Sequence, residues 1–504
     1  MTASLLPLLV AVPLLAGGAL AMVRERQRLN AVVLMGVLSA SLAASVWLVI
    51  DQVEGDILAH GVAAWPFGIA IPFVADMFAA LMLTVTGILA LTCSAFGLAS
   101  GHARRPFFAA LVLFLVAGVN GALLTADLFN LFVFIEVMLL PSYALLVLSA
   151  PGKAGMGRIK GSRLYVTVNL LTSTIFLAGV AFLYGVTGTV NLGELAGAAQ
   201  ESNAAAFAAA ICLFALSIKA SVVPVHGWLA RTYPSTSPAV TALFSGLHTK
   251  VAIYAIYRIY AVIFDGDAAY LWIGLVAFSL TMVIGVMGAV GESSSRSILA
   301  FHMISQIGYI LLGVALFGPI GLTAGIFYLL HHMIVKASLF LSTGAVEVKY
   351  GSANLGDVSG IAKREPWVAV AFFAAALSLA GLPPFSGFVA KLTLISAAID
   401  AGQGIVAATA ILVSLITLLS MLKIWSGMFW GPVKTNDHAV SQGALLTATS
   451  TDRRIGIGLL APSMILALLT LSLGLGAELL LFLSEIAALG LDDPTGYIQA
   501  VTNS

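Results

Sequence analysis

Residues 224–231 read PVHGWLAR, and residues 384–391 read PFSGFVAK. Both follow the pattern Pro-x-x-Gly-aromatic-x-Ala-basic, and both lie inside long apolar runs, 204–230 and 366–400. Proline removes a backbone donor and glycine loosens the backbone, so each segment should break the helix that carries it. Pro224 does so once, whereas Pro383 and Pro384 with Gly381 and Gly387 do so more severely. At membrane depth, freed backbone groups are tolerated only where they line a cavity or find partners. One such break is readily a structural kink. Two in corresponding positions, each with a lysine nearby, favour a transport site.

The rest of the chain supplies the membrane. Hydrophobic residues make up 60% of its 504 residues and charged residues 9%, against about 25% charged in soluble domains. The excess runs the whole length, which points to an all-α polytopic membrane protein. Apolar runs of about twenty residues predict fourteen transmembrane helices, near 4–22, 30–50, 72–98, 107–124, 128–149, 164–185, 204–230, 238–264, 270–291, 297–316, 320–345, 366–400, 405–430 and 456–484. The first is not read as a cleavable signal, because no basic residue precedes it and Arg24, Arg26 and Arg28 follow it. Cys93 and Cys212 lie in apolar stretches and are expected as free thiols.

Charge sets the orientation. Alternate loops carry Arg104 and Arg105; Lys153, Arg158, Lys160 and Arg163; Arg231; Arg296; Lys349, Lys363 and Arg364; Lys434, Arg453 and Arg454. The intervening loops carry Asp51, Glu54, Asp56, Glu194, Glu201, Asp265, Asp267 and Asp400, with no Lys or Arg. The positive-inside rule then places both termini outside. With this topology the two Pro-x-x-Gly segments run in opposite directions, as inverted five-helix repeats would. The expected organisation is a three-helix segment 1–98, a first repeat 99–264, an inverted second repeat 265–434, and a cytoplasmic loop with the last helix, 435–504.

Six cations remain inside the apolar runs: Lys219, Lys250, Arg258, Lys336, Lys391 and Lys423. Each costs about 2.5–3.5 kcal/mol at the bilayer centre, so such groups normally face a wet or paired interior. Glu136 is nine residues beyond Asp127, about 14 Å deep. Lys219 and Lys250 come out at similar depth on two other helices, and Lys391 at or somewhat outside the midplane. Burial disfavours a charged lysine and a nearby carboxylate restores it, so a partner that approaches and withdraws makes a switchable proton carrier. Glu136 and Lys219 form the candidate pair, with Lys250 and Lys391 as further stations. A static ion pair tying helices together is the architectural alternative.

The imidazoles are the natural gap-fillers, since histidine titrates near neutrality. His332 and Lys336, four apart, share a helix face; His331 and His248 are possible relays. A core histidine bonded to a carbonyl is the plainer reading of each. His226 in the first break and His302 near a helix end rank lower. Arg258 and Lys423 are expected to snorkel to the interfaces. Asp76 reads as an ion-entry carboxylate or an interfacial group. No nucleotide loop, metal-ligand spacing or nucleic-acid patch is present in the sequence, and no cofactor is expected.

The stretches ADLFNLFVFIEVMLLPSYALL, LSIKASVVPVHGWLARTYPSTSPAVTALFSGLHTKVAIYAIYR, HHMIVKASLFLSTGA and GLPPFSGFVAKL resemble the proton-translocating antiporter-like subunits. That family covers membrane-arm subunits of respiratory complex I, related membrane hydrogenases and Mrp-type cation/proton antiporters. Within it the chain looks most like the D subunits of Mrp-type Na+/H+ antiporters. The resemblance implies fourteen helices, two inverted repeats and two broken helices. It implies that Glu136 and Lys219 are the glutamate–lysine pair, Lys250 the central lysine and Lys391 the lysine of the second broken helix, with His332 and Lys336 on the hydrophilic axis. It further implies H+ and Na+ as transported ions, other Mrp subunits as partners in a bacterial plasma membrane, and transport rather than enzymatic chemistry. A redox-driven proton pump and a structural scaffold with static ion pairs are the alternatives.

Overall fold

The computed structural model describes residues 3–23, 26–62, 65, 70–101, 107–148, 156–433 and 454–502. Arg24, Arg104, Arg105, Lys153, Lys434 and Arg453, with the side chain of Arg158, lie outside the described residues. The chain is a helical bundle. In order it forms α1 (Leu8–Met22), α2 (Gln27–Glu54), a hairpin of β1 (Leu58–Gly61) and β2 (Pro72–Ala75), α3 (Met77–Ala99), α4 (Phe108–Leu124), α5 (Leu128–Leu148), α6 (Met156–Thr187) and the short α7 (Ala198–Glu201). Then follow α8 (Asn203–Ala220), α9 (Gly227–Thr232), α10 (Pro238–Ile263), α11 (Leu271–Gly291), α12 (Ser295–Ala315), α13 (Pro319–Tyr350) and the short α14 (Ile361–Arg364). The last elements are α15 (Pro366–Ala380), α16 (Ser386–Asp400), α17 (Gly404–Ile424), α18 (Ile457–Leu475), α19 (Ala477–Asp492) and α20 (Thr495–Thr502).

Twelve helices among the described residues are long and apolar enough to cross a membrane by length and composition; α4 and α15 are shorter apolar helices. A count of fourteen spans therefore depends on taking α4, and α15 joined to α16, as crossings. Two expectations need correction. The protein is not purely α, because β1 and β2 pair antiparallel with Leu58 opposite Ala75; four-residue strands in a loop lack the length for a periodic signal. The stretch read as ending at 484 is instead two helices, α18 and α19, parted at Gly476.

Local chemistry sets the helix ends. Asp76 caps α3 by accepting from the Ala79 amide at 2.9 Å, and Ser237 caps α10 with Pro238 at its first position. Between α11 and α12 the backbones touch: a Cβ on Gly285 would lie 2.3 Å from the Ser305 nitrogen, and one on Gly308 2.5 Å from the Phe278 carbonyl. Small residues allow this approach, the usual basis of helix packing in lipid. Around the outside sit half-exposed apolar helices, while α10, α12 and α13 are buried along nearly their whole length. Those three helices form the core on which the site is built.

The connecting segments gather on two faces. On one, the β-hairpin, the 188–202 segment and α20 meet: Leu192 donates to the Ala126 carbonyl, Gly197 to the Val262 carbonyl, and Gly193 lies against Val501 and Thr502. Residues 3–5 belong to this face too, beside β1. On the other, Arg296 pairs with Glu347 at 2.5 Å and donates to the Pro234 and Thr236 carbonyls. There too, Glu365 accepts from the Ile455 amide through both oxygens at 2.9 Å.

Arg258 overturns the snorkelling expectation. It is buried and pairs with Asp76 at 2.5 Å, with Tyr254 hydroxyl at 3.3 Å and its guanidinium 4.3 Å from the Tyr497 ring centroid. Asp76, the cap of α3, is thus neither a free entry carboxylate nor interfacial. Helix-end proximity misled because α20 and the β-hairpin fold over this position. Lys423 does reach an end, donating to the Val290 and Glu292 carbonyls. Removing one partner of a buried pair costs about 3–5 kcal/mol, more than replacing both with apolar groups. Arg258→Ala and Asp76→Asn are therefore each expected to lower the melting temperature of the purified protein, and Asp76→Leu with Arg258→Met to recover most of it. Single variants that melt with the wild type would remove the pair from the stability of the fold.

Candidate functional site

The first break follows α8, where Ser221 adopts φ +67°, a left-handed conformation rare for a residue with a Cβ. Its freed backbone finds partners: the Val223 amide donates to Thr281 Oγ1 at 3.1 Å, and the Trp228 indole donates to the Ile218 carbonyl at 2.9 Å. The second break follows α15, with Gly381 at φ +88°. There the Ala380 carbonyl accepts from Lys391 Nζ and from Ser414 Oγ, both at 2.9 Å. The two copies of the motif diverge at their basic residue. Arg231 is exposed on the face that carries Arg296, whereas Lys391 is buried.

Beside the first break, Lys219 is buried and donates to Asn169 Oδ1 at 3.4 Å. Glu136 is half-buried on α5, its Oε1 enclosed without a hydrogen-bond partner, within electrostatic range of Lys219 and Tyr143. No ion pair joins Glu136 to Lys219 in this conformation. His248 points away from Lys250, as its two-residue spacing requires, and its Nδ1 meets the Tyr165 hydroxyl at 3.1 Å. Tyr165 in turn meets Ser142 Oγ at 3.1 Å. Ser142, Tyr165 and Asn169 were not singled out from sequence: a tyrosine on an apolar helix carries no signal until its neighbours are known.

At the centre, Lys250 is wholly buried on α10 and donates to Thr249 Oγ1 at 3.1 Å. His332 on α13 lies within electrostatic range of Lys250 and Lys336, with neither ring nitrogen bonded to protein. Lys336 donates to the Leu299 carbonyl at 2.8 Å. Towards the second break, His331 Nδ1 meets Ser386 Oγ at 2.8 Å, and Ser386 meets Thr470 Oγ1 at 2.7 Å, which also meets Ser378. Lys391 adds a bond to Ser414 Oγ at 2.8 Å and sits 5.4 Å above the Tyr309 ring.

These groups run through the buried core from break to break. Among the described residues none of the four lysines has a carboxylate within ion-pair distance; the pairs given are Arg258–Asp76 and Arg296–Glu347. Buried polar atoms normally carry partners, yet Glu136 Oε1, His248 Nε2 and both nitrogens of His302 and His332 have none in the protein. Polar, partnerless atoms in sequence are where internal water is held. Among the described residues no cluster of His, Cys, Asp and Glu is arranged to hold a metal ion.

Broken helices, a line of buried lysines and interleaved imidazoles define a membrane ion-translocating subunit. Residues 125–417 match the family described as NADH:quinone oxidoreductase/Mrp antiporter, TM, and the chain belongs to that family. The D-type subunit of the Na(+)/H(+) antiporter of Alkalihalophilus pseudofirmus is 38% identical, covering 99% of this chain and 98% of that protein. A chain of the Mrp complex from Dietzia sp. DQ12-45-1b is 60% identical with TM-score 0.95, each chain covered completely (100%). A chain of respiratory complex I from Thermus thermophilus, 24% identical with TM-score 0.75, covers 94% of this chain and 98% of its own length, a likeness of fold.

Gly387 holds the second break closed: a Cβ there would lie 1.7 Å from the Ser378 carbonyl and 3.1 Å from His331 Cε1. Gly387→Ala is expected to force α16 from α15 and reduce ion exchange at least about tenfold, as ångström misplacements do. Gly185→Ala, with nothing near its new carbon, is the control. Equal exchange by the two variants in membrane vesicles would contradict this account.

Proposed function

We propose that the chain is the D-type subunit of a multi-subunit Mrp Na+/H+ antiporter in a bacterial plasma membrane, and that it conducts protons to drive sodium export. Its relatives carry that name at up to 38% identity over nearly the full chain. It acts as a secondary transporter subunit with no resident cofactor, and its partners are other Mrp subunits. The face bearing the acidic loops, residues 3–5 and α20 lies outside, by the positive-inside rule. Residues 99–264 and 265–434 are read as its inverted repeats.

One observation carries the proton reading: four buried lysines without carboxylate partners, linked by imidazoles and hydroxyls. A permanent structural cation would need a compensating anion. An amine that alternates between charged and neutral does not. In this reading Glu136 tunes Lys219 by approaching and withdrawing. The proton passes by way of His248 and Lys250 to His332 and Lys336, then by His331 and Ser386 to Lys391. Bound water closes the gaps between these groups.

Glu136→Ala, Lys219→Ala and Lys250→Ala are each expected to abolish cation/proton exchange in inverted vesicles while the complex still assembles. Full exchange by an assembled variant would remove that residue from the path. Unchanged flux in all three would leave a scaffold with static charges. Dependence of transport on an electron donor would instead place the chain in a redox-driven pump.

A further inference from the structure

Lys336 and Lys391 sit on different helices, and the route between them has been traced along α13 through His331. A second connection lies on α12. The contacts of the two lysines fall on one stripe of that helix, with Lys336 on the Leu299 carbonyl and Lys391 over the Tyr309 ring. His302 and Gln306 occupy the positions between them. Residues 299, 302, 306 and 309 are spaced by three, four and three, so they share one helical face, and the stripe spans about 15 Å. His302 and Gln306 are both 0% exposed. Neither ring nitrogen of His302 has a protein partner, nor has Gln306 Nε2, while Gln306 Oε1 is held by the Tyr328 hydroxyl at 2.5 Å. The charged groups within electrostatic range of His302 are Lys336 from α13 and Lys391 from α16.

Tyr328 ties the two routes together. It stacks on Tyr309 with centroids 5.2 Å apart and meets His331 edge-on at 5.9 Å. The whole segment from Lys336 to Lys391 is thus lined by α13 on one side and by α12 on the other.

We propose that His302 is a proton-carrying station between Lys336 and Lys391, and that Gln306 orients the water joining it to Lys391. The imidazole accepts a proton at one nitrogen and releases the other from the opposite nitrogen, so its charge is restored after each passage. Gln306 carries no proton and acts by position alone. This inference rests on the proton path proposed above.

The test uses the intact complex in inverted vesicles, with assembly measured on native gels. His302→Ala is expected to lose at least tenfold in exchange, and imidazole added to the vesicles to restore part of it, since the deletion leaves a space of that shape. Gln306→Leu is expected to lose less. Exchange by His302→Ala within twofold of wild type would overturn the proposal. So would a loss that imidazole does not relieve, which would mark a packing role. If His302→Ala fails to assemble, His302→Gln replaces it: retained hydrogen bonding with at least tenfold loss supports proton transfer, and wild-type exchange overturns it. Lys250→Ala, run alongside, separates the two readings. Its full activity would sink the proton path itself, whereas its inactivity beside an active His302 variant sinks the α12 inference alone.

Discussion

Everything in this molecule is arranged around holding lysine amines away from both water and carboxylates. An ammonium in an apolar interior is expensive, and the fold answers with backbone carbonyls and hydroxyls rather than with anions. Lys336 takes the Leu299 carbonyl, Lys391 the Ala380 carbonyl and Ser414, Lys250 the Thr249 hydroxyl, and Lys219 the Asn169 amide oxygen. Such partners also accept hydrogen bonds from a neutral amine. A carboxylate at contact would instead hold each proton in place. Arg258, which does have its carboxylate, is the contrast: it is fastened to Asp76 and belongs to the outer architecture.

The encircling helices make that arrangement possible. Because α10, α12 and α13 are covered on all sides, their polar side chains can face one another without meeting lipid. The glycine contacts between α11 and α12, and the tight seat of Gly387 against α15, bring backbones close enough to leave small polar spaces rather than large apolar ones.

Much of this was legible in the sequence. The two Pro-x-x-Gly segments announced the breaks, since proline and glycine act locally wherever they stand. The buried lysines stood out because hydrocarbon tolerates so few of them. The misses share one cause. Arg258 looked superficial because depth was judged along its own helix, and the cover provided by Tyr497 and the β-hairpin comes from far away in the chain. His302 was ranked low for the same reason. Its partnerless nitrogens matter only once Lys336 and Lys391 converge on α12. The Ser142–Tyr165–His248 chain joins three helices through side chains that each look ordinary alone. The approach of Glu136 to Lys219, plain from depth, is looser in this conformation than a contact pair.

The two breaks differ in what closes their free carbonyl. At the first, the Trp228 indole holds the Ile218 carbonyl, and an indole N–H is the same at every moment of a transport cycle. At the second, a titratable amine holds the Ala380 carbonyl. An ammonium offers three strong donors and a neutral amine fewer and weaker ones. Each time Lys391 gives up its proton, the end of α15 is held less firmly, with Ser414 left as the constant donor. The second broken helix is therefore a joint whose stiffness follows its own cargo, while the first is a hinge pinned by a bolt that never turns.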